Sequence, residues 1–147
     1  MRGGTRRGRA ALPGGLACAL LLATACSGDE ALGWEGAYRG QLSASARFTV
    51  EGELRTQGGG ADNAELLIAK AGERRYRLEL PGCAAEADVS GERLHVDPRT
   101  HCDCVAGDAR AEATVAGQAT REGGRLAVLL EGTTAEGTCE WRFRAQP

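Results

Sequence analysis

Bulky apolar residues are scarce in this chain. From residue 26 to the end, leucine, isoleucine, valine and phenylalanine account for only 20 of 122 residues, about 16%, a share that borders on that of disordered chains. Aromatic residues make up only 4% of the sequence. A large hydrophobic core is therefore excluded, and a folded domain of this composition needs covalent cross-links to supplement burial.

Catalytic motifs are also missing. The chain contains two histidines, His95 and His101, and neither lies in a recognisable nucleophile motif. It has no Gly-x-Ser-x-Gly, no His-Glu-x-x-His and no glycine-rich phosphate loop. We therefore expect a protein that is not an enzyme and that needs no cofactor.

Basic charge dominates only at the start of the chain. Residues 1–25 carry four arginines and no acid, whereas all twenty acidic residues follow them, together with fourteen basic ones. The remaining chain therefore has a formal net charge of about −6. Its densest basic cluster, residues 74–77, is expected to be a solvated strand edge. A nucleic-acid partner is not expected, because such proteins concentrate basic side chains on one face.

The first 25 residues have the features of a targeting segment. A basic region precedes the apolar stretch 11–25, which Pro13, Gly14 and Gly15 interrupt. A membrane-spanning helix needs roughly 20 apolar residues, so this stretch is too short to be a permanent anchor. We predict that residues 1–25 form a signal peptide that is removed on export.

Residues 21–27 read Leu-Leu-Ala-Thr-Ala-Cys-Ser. This segment resembles the lipobox of bacterial lipoproteins, in which small residues precede a cysteine that receives diacylglycerol on sulfur before signal peptidase II cleaves. The resemblance implies lipidation of Cys26 and attachment to a membrane of the bacterial cell envelope through the lipid anchor. Ser27 after the cysteine implies, by the same resemblance, the outer membrane.

The cysteine count favours lipidation over simple secretion. Ala23 and Ala25 also satisfy the ordinary secretory cleavage rule, which would release a soluble product. Cleavage before Cys26 leaves five cysteines, and an odd number in an exported chain requires an explanation. Lipidation of Cys26 leaves four that can pair. We predict a signal peptide (1–25), a lipid-anchored tether (26–33) and a domain (34–147).

The domain is predicted to be all-β. Apolar and charged residues alternate in short runs, most clearly over residues 76–80 and 139–143. Residues 48–54 follow the same alternation, and the glycines at 58–60 are interpreted as a flexible hairpin tip. Residues 61–68 could form a helical turn or a strand, and we favour the strand. Turn signals between the runs predict a disulfide-stapled antiparallel meander of about seven to nine strands, closed into a barrel or folded into a sandwich.

Four cysteines of the domain are the expected disulfide partners: Cys83, Cys102, Cys104 and Cys139. A disulfide that closes a loop of a few tens of residues stabilises a fold by roughly 3–4 kcal/mol. A bond between Cys102 and Cys104 is disfavoured if both lie on one strand, because their Cα atoms would be near the upper limit for bridging. We expect Cys83 to pair with one of these two and Cys139 with the other. The sequence leaves open which goes with which.

Residues 95–104 are the only segment in which metal-ligand residue types crowd together. Imidazoles of His95 and His101 and thiolates of a Cys-x-Cys pair could hold zinc or copper. In an oxidising envelope, however, Cys102 and Cys104 are expected to be disulfide-bonded and unable to act as thiolates. We therefore predict that no metal is bound. In the alternative hypothesis of a metal site, His95 and His101 are the candidate ligands.

Residues 34–40, Trp-Glu-Gly-Ala-Tyr-Arg-Gly, place aromatic residues and glycines on one face at strand spacing. This opening is similar to the first strand of lipocalin-like barrels, and the resemblance implies a barrel with Trp34 at one end. Our favoured interpretation is that Trp34 caps the core. Trp34, Tyr38 and Trp141 are also the candidate ligand-binding residues.

The functional hypotheses fall into different classes. The first is a non-catalytic envelope lipoprotein that binds a protein partner or serves a structural role. The second is a carrier that holds a small ligand in an apolar barrel cavity. A metal-binding envelope protein is the third.

Overall fold

Nine β-strands build the domain in the computed structural model, which describes residues 33–147. The predicted signal peptide, Cys26 and tether residues 26–32 lie outside the described residues. Every regular element in the described part is a strand, which confirms the all-β prediction. The strands are β1 (Gly36–Val50), β2 (Glu53–Lys70), β3 (Arg75–Leu80), β4 (Cys83–Ser90), β5 (Arg93–Val96), β6 (His101–Ala106), β7 (Ala109–Glu122), β8 (Arg125–Thr134) and β9 (Gly137–Ala145).

Antiparallel neighbours follow one another along the chain, so the sheet is a meander. Its strand order is β5-β4-β3-β2-β1-β9-β8-β7-β6, and β1 and β9, the first and last strands of residues 33–147, lie side by side. β5 also pairs with β7, through Leu94 with Ala119 and His95 with Gln118. This pairing closes an eight-stranded barrel. β6 is an additional strand that pairs with the first part of β7.

Large and small apolar side chains together fill the barrel interior. Strand positions that face inward alternate with exposed ones, as in β6, whose burial alternates residue by residue. Alanines take many inner positions, among them Ala85, Ala87, Ala113 and Ala119. Small side chains packed between a few large ones therefore fill the interior in place of the bulky residues that the sequence lacks. The largest fully buried side chains are Trp34, Phe48, Leu66, Ile68, Leu78, Leu94, Val115, Leu130 and Phe143.

The hairpin between β1 and β2 differs from the sequence interpretation. Residues 48–54 do not form one strand, because Glu51 and Gly52 make a tight turn with φ values of 51° and 79°. Two positive φ values are typical of a type I′ turn, which usually carries Asn-Gly or Asp-Gly. The sequence Glu-Gly is not a usual signal of this turn, so the turn was not predicted. The glycines at 58–60 lie inside β2 and not at a hairpin tip. Residues 61–68 belong to the same strand, which confirms the favoured alternative.

Candidate functional site

Both disulfides fasten β6 to the rest of the barrel. The Cys83–Cys102 bond joins β4 to β6, and the Cys104–Cys139 bond joins β6 to β9, with Cα–Cα distances of 5.3 and 5.6 Å. The predicted pattern of pairing is confirmed, and the structure adds which cysteine pairs with which. Cys102 and Cys104 lie on the same, inner face of β6 and are both buried. Each can therefore reach a different strand across the interior.

A cleft of about 330 Å³, which we term the apolar cleft, opens beside the Cys104–Cys139 bond. The small side chains of Ala44 and Ala46 from β1 and the indole of Trp141 from β9 line it. Gln57 and Gly59 border it on β2, and Val105 borders it on β6. The cleft therefore lies where β1, β2, β6 and β9 come together.

The turn between β3 and β4 shapes one side of the apolar cleft. Pro81 and Gly82 form this turn and line the cleft. Gly82 has a φ of +88°, and a Cβ atom added there would stand 3.4 Å from Nε1 of Trp141. Glycine thus suits both the backbone conformation and the close approach of the indole. On another side, the backbone N–H of Gly107 donates a hydrogen bond to Oε1 of Gln57, which bridges the β6–β7 turn and β2.

A second cleft, of about 660 Å³, lies beside the Cys83–Cys102 bond and has a charged lining. Nε of Arg77 donates to Oε1 of Glu79 at 2.7 Å, and Nδ1 of His101 lies 3.8 Å from Oε1 of Glu112. All four side chains are exposed. Such pairs, within one strand for Arg77 and Glu79 and between neighbouring strands for His101 and Glu112, are ordinary features of a solvated sheet face and contribute little to stability.

The metal hypothesis loses its thiolate ligands in this fold. Cys102 and Cys104 are both disulfide-bonded, and a disulfide sulfur is not the thiolate that zinc or copper binds. His95 on β5 and His101 on β6 are exposed on the outer face. No group of three or more histidine, cysteine, aspartate or glutamate residues within residues 33–147 is arranged to hold a metal ion.

The three aromatic candidates do not form a single site. Trp34 is buried, with its carbonyl oxygen accepting a 2.9 Å hydrogen bond from Oη of Tyr38 and the Arg121 guanidinium 5.1 Å from its ring centroid. Trp141 pairs with Ala44 of β1, and Ala44 lies eight residues after the first residue of that strand. At roughly 3.3 Å per strand residue, the two tryptophans therefore lie at different levels of the barrel. Trp34 belongs to the core, whereas Trp141 also lines the apolar cleft.

Asp97, between β5 and β6, is the one buried charged side chain among the described residues. Arg99 donates to its carboxylate from Nη2 at 2.8 Å, from the backbone N at 2.9 Å and from Nε at 3.1 Å, and Arg75 pairs with it as well. The hydrogen bonds from Arg99, assisted by the charge of Arg75, hold the pKa of Asp97 below its usual range. Its own backbone N–H donates to the Glu86 carbonyl. Asp97 therefore fixes the break between β5 and β6.

Acid should destabilise the fold through Asp97. Because its pKa is lowered in the folded state, its contribution is present above the unfolded pKa of about 3.9 and is lost as the pH falls toward the folded value. We expect Asp97→Asn to lower the melting temperature near neutral pH and to flatten the decline of stability below about pH 4. Thermal melts across this pH range check this. Asp108→Asn, at an exposed carboxylate, is the control, and an unchanged acid slope in Asp97→Asn would contradict the assignment.

Sequence reasoning missed Asp97 as an organising residue and missed the walls of the apolar cleft. Asp97 precedes Pro98, and Asp-Pro is a turn signal that could have marked the end of β5. Ala44 and Ala46 lie on the same inner face of β1 as Leu42 and Phe48. Extending that alternation would have placed two small side chains on an inner face.

Comparison with known proteins adds no assignment. No protein-family model matches the chain, and neither a curated protein nor a solved structure matches it significantly. In the part of the chain that the structure describes, no helix has the length and hydropathy needed to cross a bilayer.

Proposed function

We propose that this protein is a lipid-anchored, non-catalytic binding protein of a bacterial cell envelope. The observation that carries the proposal is the pairing of the domain cysteines. Cys83 bonds to Cys102 and Cys104 bonds to Cys139, so the domain leaves no cysteine for Cys26 to pair with. Lipidation gives that odd cysteine a role.

The two disulfides also support a location outside the cytoplasm. Structural disulfides persist in oxidising compartments and are rare in the reducing cytosol. Small exported domains with thin cores commonly depend on them. The lipobox-like segment before Cys26 and the residue Ser27 favour the outer membrane of the cell envelope as the anchoring site.

The apolar cleft supports binding as the domain's activity. It combines an indole wall, small apolar side chains and exposed strand backbone, which suits recognition of another molecule. Among the described residues, the two histidines lie on exposed faces and are not paired with a nucleophile. These features favour a binding role over acyl or phosphoryl chemistry.

A small-molecule carrier is the second candidate function. The volume of the apolar cleft, about 330 Å³, lies at the lower end of the range of roughly 300–1,000 Å³ that small-molecule sites occupy. Beneath it the interior is filled by large side chains such as Phe48 and Leu130. A carrier function would therefore use the cleft itself and not a deep barrel cavity.

Labelling with palmitate tests the anchor. In a bacterium that expresses the full chain, we expect radiolabelled palmitate to be incorporated and the protein to fractionate with membranes, because each buried lipid CH₂ adds about 0.8 kcal/mol to membrane binding. Cys26→Ser should reduce the label to background. Cys18→Ser is the matched control, since it removes the one cysteine of the predicted signal peptide and should leave the label unchanged. Equal labelling of the Cys26→Ser protein would refute the proposal.

A further inference from the structure

The apolar cleft contains a hydrogen-bond donor that has no partner. The side chain of Trp141 is 5% exposed, yet its Nε1–H makes no hydrogen bond within residues 33–147. Polar groups that are this far buried normally have a hydrogen-bond partner. Nε1 of Trp34 is also unpartnered, but it is sealed from solvent, whereas Nε1 of Trp141 is not. The N–H of Trp141 is therefore available to a molecule that enters the cleft.

Gly82 leaves the space beside this donor open. A Cβ atom at Gly82 would stand 3.4 Å from Nε1 of Trp141, and in the described part of the chain no other atom beyond the neighbours of Gly82 in sequence lies within 4 Å of that position. Both residues line the apolar cleft. A side chain at position 82 would cover the indole N–H, so the glycine keeps this donor accessible to a ligand.

Gln57 supplies a second donor at the apolar cleft. The backbone N–H of Gly107 donates to Oε1 of Gln57, which fixes the amide, because only its oxygen can accept a hydrogen bond. Nε2 of Gln57 makes no hydrogen bond within residues 33–147. The cleft thus offers N–H groups from β2 and from β9, and both groups require a hydrogen-bond acceptor on the ligand.

The charge at the apolar cleft favours an uncharged ligand. Asp103 is the one ionisable residue among those that line the cleft, and its Oδ2 lies 3.8 Å from Nη1 of Arg110. A carboxylate or phosphate on a ligand would be repelled by Asp103 and would lose its hydration against apolar walls. A cationic group would face the positive ends of the two N–H dipoles and the guanidinium of Arg110. Both kinds of charge are therefore disfavoured.

The walls and the volume of the apolar cleft define the rest of the ligand. Methyl groups and a disulfide sulfur form much of the lining, from Ala44, Ala46, Val105 and Cys139. These groups favour an apolar body, because burial of apolar surface is their main contribution to binding. Since a water molecule takes about 30 Å³ in the liquid, a cleft of about 330 Å³ holds roughly ten groups of that size. The ligand is therefore a small molecule.

We propose that the apolar cleft binds a small, uncharged ligand with an apolar body and a carbonyl or ether oxygen that accepts a hydrogen bond from Nε1 of Trp141. The apolar body lies against Ala44 and Ala46, and a second acceptor on the ligand takes the N–H of Gln57. This inference rests on the proposed function as a binding protein and names the class of ligand. It does not depend on the lipid, so the two proposals can fail separately.

Titration with cyclohexanone, a neutral ketone, tests the inference on the purified, ¹⁵N-labelled mature protein in non-ionic detergent. Residues 26–147 contain two tryptophans, so the NMR spectrum has two indole N–H signals, and Trp141→Phe identifies the one that belongs to Trp141. We expect a saturable downfield shift of this signal with a Kd of about 1–10 mM, because so small a ligand binds weakly. The Trp34 signal should not move, since its N–H is sealed from solvent.

Variants separate the walls of the cleft from its donor. Ala44 is half-buried and lines the cleft, so Ala44→Leu should fill it and abolish the shift. Ala127→Leu, at a half-buried alanine of β8 outside this cleft, is the matched control and should leave the shift unchanged. Trp141→Phe removes the donor, and ligand-observed NMR should show about fivefold weaker binding of cyclohexanone. Cyclohexanecarboxylate should bind the unchanged protein about tenfold more weakly than cyclohexanone.

Three results would overturn the inference. They are an unmoved Trp141 signal at about 50 mM cyclohexanone, a shift that survives in folded Ala44→Leu, and equal binding of cyclohexanone and cyclohexanecarboxylate. The last comparison uses the unchanged protein, so it decides even if a variant fails to fold. Palmitate labelling without an indole shift would remove this inference alone, whereas an indole shift without labelling would remove the anchor alone.

Discussion

Replacing Cys104 and Cys139 together with alanine is expected to lower the free energy of unfolding by about 4 kcal/mol. The bond closes a loop of 35 residues between β6 and β9. Without the bond, the unfolded chain regains the conformational entropy that loop closure removes. In the folded state, β6 is then held only by its pairing with β7 and by the Cys83–Cys102 bond. Alanine is the better replacement because Cys104 is fully buried, where an unpartnered serine hydroxyl would add its own cost.

Urea unfolding followed by tryptophan fluorescence measures this effect. The matched variant removes Cys83 and Cys102, whose sequence separation is 19, and should lose about 3 kcal/mol by the same entropic argument. The order of the two losses follows the loop lengths. A loss below about 1 kcal/mol for the Cys104 and Cys139 pair would show that the thin core holds the fold without this cross-link.

Trp34→Ala is expected to cost about 3–5 kcal/mol of unfolding free energy. Trp34 is 1% exposed and is the largest of the fully buried side chains. Its removal would leave a cavity and would also end the contact between its ring and the Arg121 guanidinium. In a chain with so few large apolar residues, neighbouring side chains offer little volume to refill that space.

Trp34→Phe is the control for this variant. Nε1 of Trp34 is buried without a hydrogen-bond partner, so phenylalanine removes no satisfied hydrogen bond and should cost much less than alanine. Urea unfolding followed by circular dichroism compares the two variants without relying on the indole signal. If Trp34→Ala lost no more than Trp34→Phe, Trp34 would not be a core residue.

Local patterns were sufficient to predict most strands of this fold. In β3 and β9 the buried positions carry apolar side chains and the exposed ones carry polar side chains, so the period of two is visible in the sequence. In β8 the period is visible at Leu126, Val128 and Leu130, which are all buried. The glycines at 58–60 do not show this pattern, because a strand segment that is exposed to solvent on both faces does not need alternating apolar side chains. The β1–β2 turn was missed for a different reason, since glutamate rarely takes positive φ.

The candidate site was less accessible to sequence reasoning because it depends on long-range pairing. The apolar cleft lies where β1, β2, β6 and β9 come together, beside residues of β2 that β3 does not reach, because β3 pairs with β2 only through residues 67–70. No local pattern specifies how far a neighbouring strand extends. The cysteine arithmetic allowed two pairings, and only the fold distinguishes them. Asp97 likewise becomes important through Arg75, which lies 22 residues earlier in the chain.

The intact mass of the mature protein tests the central claim most directly. The chain is expressed whole in a bacterium, purified and weighed after alkylation with and without reduction. We expect a chain that begins at Cys26 and carries a lipid increment, with the four thiols of Cys83, Cys102, Cys104 and Cys139 becoming alkylated only after reduction. A chain without lipid, with thiols of Cys102 or Cys104 alkylated before reduction, would contradict both the anchor and the disulfide-stapled barrel.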